Sequence, residues 1–153
     1  MFSECIQSAT CGADVTTEID WNLLRDKAMV VSRHAYAPYS RFPVGAAALT
    51  SDARIVAGCN VENVSYGLGL CAECAVVSAL HSGGGGRLLA LVCVDASGHL
   101  LMPCGRCRQL LLEHGGADML IAHPDGPRPL RELLPDAFGP DDIERVHAGG
   151  QSQ

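Results

Sequence analysis

Val44-Gly45-Ala46-Ala47-Ala48-Leu49-Thr50, then Ser51-Asp52-Ala53, then Arg54-Ile55-Val56-Ala57-Gly58-Cys59 reads as two strands joined by a short polar turn, a β-hairpin. The run Gly45 to Ala48 carries only small side chains, so a helix or ligand can approach that strand closely. Upstream, Asp20 is placed to cap a helix bearing Leu24, Ala28, Val31 and Ala35 on one stripe, and Pro38 stops it. Downstream, a polar, glycine-dotted loop from Asn60 to Leu70 leads into a predicted helix from Cys71 to His81. Gly83 to Gly86 end that helix. They lack the Lys-Ser/Thr that a phosphate loop needs and read as a flexible connector.

Leu88 to Asp95 is a largely apolar run of strand length, the pattern of a strand covered on both faces. Ser97-Gly98 is a turn, and Pro103 introduces a helix from Cys104 to His114 closed by Gly115-Gly116. Met119 to Ala122 reads as a short strand and Leu130 to Leu134 as a helical turn. The order is that of an α/β domain, with helices on both faces of one mixed sheet. Its bounds are drawn at 19–140, with 1–18 a mobile N-terminal extension and 141–153 a C-terminal tail.

At 153 residues the chain is long enough for one sizeable core. No apolar stretch is long enough to span a bilayer, and the first 20 residues, with Glu4, Asp14, Glu18 and Asp20, lack the form of a secretory signal. A cytoplasmic protein without membrane partners is expected. The net charge is −6, and its 11 Lys and Arg are scattered. A polymeric nucleic acid is therefore not expected as partner, because such binders carry a basic stripe to neutralise phosphates.

Four of the eight cysteines form two pairs, Cys71-x-x-Cys74 and Cys104-x-x-Cys107. Spacing alone leaves open a structural zinc with four sulfur ligands. Both pairs begin at predicted helix N-termini, where unpaired N–H groups favour thiolates. Glu73 lies between the first two cysteines, where a closed site has no use for an acid and a catalytic one needs a proton shuttle. Cys5, Cys11, Cys59 and Cys93 read as inert, and none of the six histidines stands in ligand spacing with the paired cysteines.

Cys71-Ala72-Glu73 followed by Pro103-Cys104-Gly105-Arg106-Cys107 resembles the signature of zinc nucleobase deaminases. Tyr39-Ser40-Arg41-Phe42-Pro43-Val44-Gly45-Ala46-Ala47 and Gly58-Cys59-Asn60-Val61-Glu62-Asn63 are similar to two further motifs of the small homotetrameric cytidine deaminases. The resemblance covers roughly residues 20 to 140 and implies an α/β/α fold around a five-stranded mixed sheet. It implies one Zn²⁺ per subunit on Cys71, Cys104 and Cys107, with one position left for water, and Glu73 as proton shuttle in the hydrolysis of free cytidine and deoxycytidine. It also implies that Ala72 offers its N–H to the base carbonyl, that Asn60 and Glu62 bind the ribose, and that Phe42 packs against the nucleoside. Phe138 would reach into the site of a neighbouring subunit of a homotetramer with shared active sites, and Tyr66 would line a subunit boundary.

The chain departs from that pattern at Cys74, where many relatives carry Arg. Three thiolates and Zn²⁺ sum to a negative charge, so compensation is expected from helix dipoles or from Arg106 or Arg108. Two other readings stand beside this one: a nucleoside-antibiotic deaminase of the same superfamily, and a non-catalytic module built on a four-cysteine structural zinc.

Overall fold

A computed structural model describes residues 18–149, so the N-terminal extension, but for Glu18, lies outside the described residues, as do Cys5 and Cys11. The elements run α1 (Trp21–Ser32), β1 (Val44–Thr50), β2 (Ile55–Cys59), α2 (Ala72–Ser82), β3 (Leu88–Asp95), α3 (Gly105–Gly115), β4 (Leu120–Ile121), β5 (Arg128–Pro129), α4 (Leu130–Leu133) and α5 (Pro140–Gly149). The five strands form one sheet in the order β2-β1-β3-β4-β5. The β3–β4 pair is parallel and the other three are antiparallel, which makes the sheet mixed as expected.

Alternation along β1 and β3 divides the core into two layers. Ala46, Ala48, Leu91 and Cys93 face one way and pack with Val76, Leu80 and Leu111 of α2 and α3. Ala47, Leu49, Ala90, Val92 and Val94 face the other way and pack with Leu24 and Ala28 of α1. β3 is thus covered on both faces, as its apolar run predicts.

Two glycines set how closely the helices lie on the sheet. A Cβ on Gly45 would stand 1.9 Å from the Ala28 carbonyl oxygen of α1, and one on Gly58 would stand 2.4 Å from Ala75 Cβ of α2. Any larger residue would push a helix off the strands.

The cap at Asp20 forms as read, its side chain accepting from the Leu23 N–H at 2.9 Å. The helix ends at Ser32, three residues short of Ala35, because the chain turns there to run beside Val61, where Tyr36 forms a bridge. The glycine run after α2 is tied down: Arg54 donates to the Gly85 carbonyl at 2.7 Å, and Gly85 N–H to the Leu80 carbonyl. Sequence reading missed a 3-10 turn at Tyr66–Leu68, the strand β5 and the helix α5.

Candidate metal and catalytic site

The hairpin and β3 set the ends of α2 and α3 side by side. Cys71 is the N-cap of α2 and Cys104 the N-cap of α3, both in extended conformation and neither capping with its own side chain. Cys107 lies one turn into α3, with no exposed surface. The three Sγ atoms all lie within 4.8 Å of one another, and Cys71 and Cys104 are 3.9 Å apart. Tetrahedral zinc with sulfur at about 2.3 Å separates its sulfurs by about 3.8 Å, so the donor set fits zinc in type and spacing.

Electrostatics point the same way. Burial raises the Cys71 thiol above its ordinary value, and the neighbouring Cys104 and Glu73 charges add to this. Cys107 is raised further, first by burial and then by Glu73 and Cys71. Burial also works against the Cys104 thiolate, but hydrogen bonds from the Cys107 N–H and thiol outweigh it and hold its pKa down. Three thiolates packed together repel, and a divalent cation among them removes that penalty.

Cys74 is not part of this cluster. Its Sγ accepts from the Arg106 guanidinium at 3.5 Å, and the other end of that guanidinium donates to the Gly69 carbonyl at 3.3 Å. Arg108 is committed elsewhere, donating to the carbonyls of Pro103 at 2.7 Å and Leu133 at 2.8 Å. Of the two arginines weighed for charge compensation, Arg106 is the one that faces the site.

A cavity of about 440 Å³ opens over the cysteines, lined in part by Asn60, Glu62, Cys71, Ala72, Glu73 and Cys104. That volume lies within the range of small-molecule sites. Glu73, in the first turn of α2, is only 5% exposed. Cys93, read from sequence as inert, lines the same cavity from β3. Its thiol is pushed well up by burial first and by Glu73 beside it. The period-two alternation of β3 was the signal that could have placed it there.

Asn60 and Glu62 have a task that sequence reading did not foresee. Asn60 accepts from the Val44 N–H at 2.8 Å and donates to the Phe42 carbonyl at 3.0 Å. Glu62 accepts from the N–H groups of Tyr39 at 2.9 Å and Ser40 at 3.2 Å. The Ser40 side chain and these N–H groups hold the Glu62 carboxyl below its usual value, although burial opposes them. Both residues therefore fasten the loop that enters β1.

Tyr66 lines the mouth of the cavity and is 81% exposed. Phe42 and Phe138 do not line it. Both are exposed, and Gln109 donates to the Phe138 carbonyl at 2.8 Å, fixing that segment beside α3.

Comparison with known proteins accords with this geometry. Residues 20–123 match the family model described as "Cytidine and deoxycytidylate deaminase zinc-binding region". The chain is 70% identical over 128 residues to a cytidine deaminase of Mycobacterium tuberculosis, covering 84% of this chain and 96% of that one. It is 37% identical over 130 residues to a cytidine deaminase of Halalkalibacterium halodurans, covering 82% of this chain and 98% of that one. Among solved structures, the Mycobacterium tuberculosis cytidine deaminase superposes with a TM-score of 0.79 at 70% identity, covering 80% of this chain and 99% of that one. The Mycobacterium leprae cytidine deaminase gives 0.76 at 53% identity, covering 78% and 100%. Fold, converging thiols and extent of similarity together assign this chain to the cytidine and deoxycytidylate deaminase zinc-binding family.

Proposed function

We propose that this chain is a zinc-dependent cytidine deaminase that hydrolyses free cytidine and deoxycytidine to uridine and deoxyuridine with release of ammonia. The observation that carries this reading is one cavity that joins a convergent set of thiols to a buried carboxylate. Cys71, Cys104 and Cys107 hold the zinc, one ion per subunit. Bound there, zinc supplies Lewis acidity that makes water a nucleophile at neutral pH.

Glu73 takes a proton from the attacking water and passes it to N3 of the pyrimidine, while the oxygen bonds to C4. The carboxylate then takes the second proton from the C4 hydroxyl and hands it to the amino group; the C4–N bond breaks as the C4–O bond becomes the carbonyl, and ammonia leaves. A carboxylate suits both transfers because it serves as base and acid in turn. The Ala72 N–H at the start of α2 receives the base carbonyl, a use of a helix N-terminus consistent with its unpaired donors. Asn60 and Glu62 hold the sugar hydroxyls and at the same time fix the loop behind them. Their place at the cavity favours an ordinary nucleoside over the antibiotic substrate of related deaminases.

The active form is a homotetramer working in pyrimidine salvage in the cytoplasm. Support for assembly comes from exposed apolar side chains beside the cavity, with Val64 76%, Tyr66 81% and Leu68 65% exposed. Such a patch is unusual on a monomer. Phe42 packs against the nucleoside, and Phe138 reaches the site of the neighbouring subunit. Among the described residues no helix is long and apolar enough to cross a membrane.

An ultraviolet assay tests the assignment. Wild type should deplete cytidine and deoxycytidine absorbance, and Glu73→Ala should lose that activity while zinc remains bound. A wild type carrying zinc but inactive on both nucleosides refutes the substrate assignment.

A further inference from the structure

The side-chain contacts of Arg106 are not needed for the chemistry described above. Arg106 stands on α3 between Cys104 and Cys107, so its backbone belongs to one half of the thiol cluster. Its guanidinium reaches the other half and meets it on both sides of Cys71: the Gly69 carbonyl at 3.3 Å lies two residues before, and Cys74 Sγ at 3.5 Å three residues after. A planar fork of donors suits such a two-ended contact, whereas an ammonium is a point charge.

Charge points to the same residue. The lining of the cavity holds Glu62, Glu73, Cys71 and Cys104, and among the described residues its one cationic side chain is Arg106. With three thiolates around a divalent ion the centre is net negative, and Glu73 adds to that. We propose that Arg106 is a positioning residue of the metal centre. It clamps the first turn of α2 to the first turn of α3 across the zinc ligands and supplies the positive charge that the cluster needs to hold its ion. In doing so it also keeps the Cys74 thiol turned away from the thiol cluster.

This inference rests on zinc being bound by Cys71, Cys104 and Cys107, and its test is a rate of metal release rather than of turnover. Wild type, Arg106→Ala, Arg106→Lys and the double variant Arg106→Ala/Cys74→Arg are loaded with zinc, and release to a chromogenic chelator is timed. Circular dichroism of the loaded proteins confirms folding; Arg106 is exposed, and its replacement removes no core packing. Loss of an outer partner of a metal ligand commonly costs about 10- to 100-fold in metal affinity. Arg106→Ala should therefore release zinc about 10-fold faster or more, and Arg106→Lys should fall between it and wild type. The double variant, which returns a guanidinium from the opposite helix, should restore most of the loss. Release from Arg106→Ala at the wild-type rate overturns the proposal, as does a double variant no slower than Arg106→Ala. A wild type that takes up no zinc refutes instead the metal assignment on which it stands.

Discussion

Gly45→Ala puts one methyl group where α1 lies against β1. The added Cβ would sit 1.9 Å from the Ala28 carbonyl oxygen and 2.9 Å from the Ser32 nitrogen, both backbone atoms that no rotamer change can move. Reaching an ordinary separation of 3.4 Å requires α1 to shift by about 1.5 Å across a close-packed layer. Overpacking of this kind costs about 1–3 kcal/mol. Opposing it, Ala in a strand interior gains roughly 0.5–1 kcal/mol over Gly. The steric cost wins because the blocking atoms belong to a helix capped at Asp20 and buried through Leu24 and Ala28. A net loss of about 1–2 kcal/mol corresponds to roughly 2–8 °C in Tm for a chain of this size. Thermal unfolding of the zinc-loaded protein at fixed concentration reads it directly. Gly139→Ala serves as control, since a Cβ there meets nothing within 4 Å, and its Tm should stay within about 1–2 °C of wild type. A Gly45→Ala protein as stable as wild type would refute the argument that this glycine sets the helix-to-sheet distance.

Asn60→Ala removes the acceptor for the Val44 N–H and the donor to the Phe42 carbonyl, so stability should fall by about 1–3 kcal/mol and KM for cytidine should rise. An unchanged Tm would show that the loop does not depend on that amide. His114 touches His81, with ring nitrogens 3.1 Å apart. Burial first and then the His81 charge hold the His114 pKa below its ordinary 6.5. The unfolded chain therefore takes up this proton at a higher pH than the folded one. Above pH 6.5 the group costs nothing, and stability falls as pH drops below 6.5 toward the lower folded value. Tm measured against pH should fall more steeply through that window in wild type than in His114→Asn, and equal slopes would count against the assignment.

Local patterning made much of the fold readable. The hairpin pattern of β1 and the continuous apolar run of β3, with Pro38 and the Gly83 run as punctuation, place those strands at their observed bounds. β5 escaped because it is two residues long and one of them is Pro129, which has no N–H to contribute to a ladder. The signals for α5 were present, with Pro140 at the first position and Asp141 and Asp142 in the first turn. The tail expected over 141–153 is helical as far as Gly149.

The thiol cluster was legible because its ligands come from two short motifs, each with its own helix start. The partnership of Arg106 with Cys74 and Gly69 was not, since it depends on how α2 and α3 lie against each other. The same holds for Asn60 and Glu62. Their motif suggests sugar binding, but only the folded loop reveals the N–H groups of Tyr39, Ser40 and Val44 that they also satisfy.

X-ray absorption at the zinc edge of the metal-loaded protein addresses the central claim most directly, because catalysis requires one coordination position that the protein leaves free. The account expects three sulfur neighbours at about 2.3 Å and one lighter oxygen or nitrogen neighbour near 2.0 Å. A shell of four sulfurs, with Cys74 turned inward as the fourth, would contradict it.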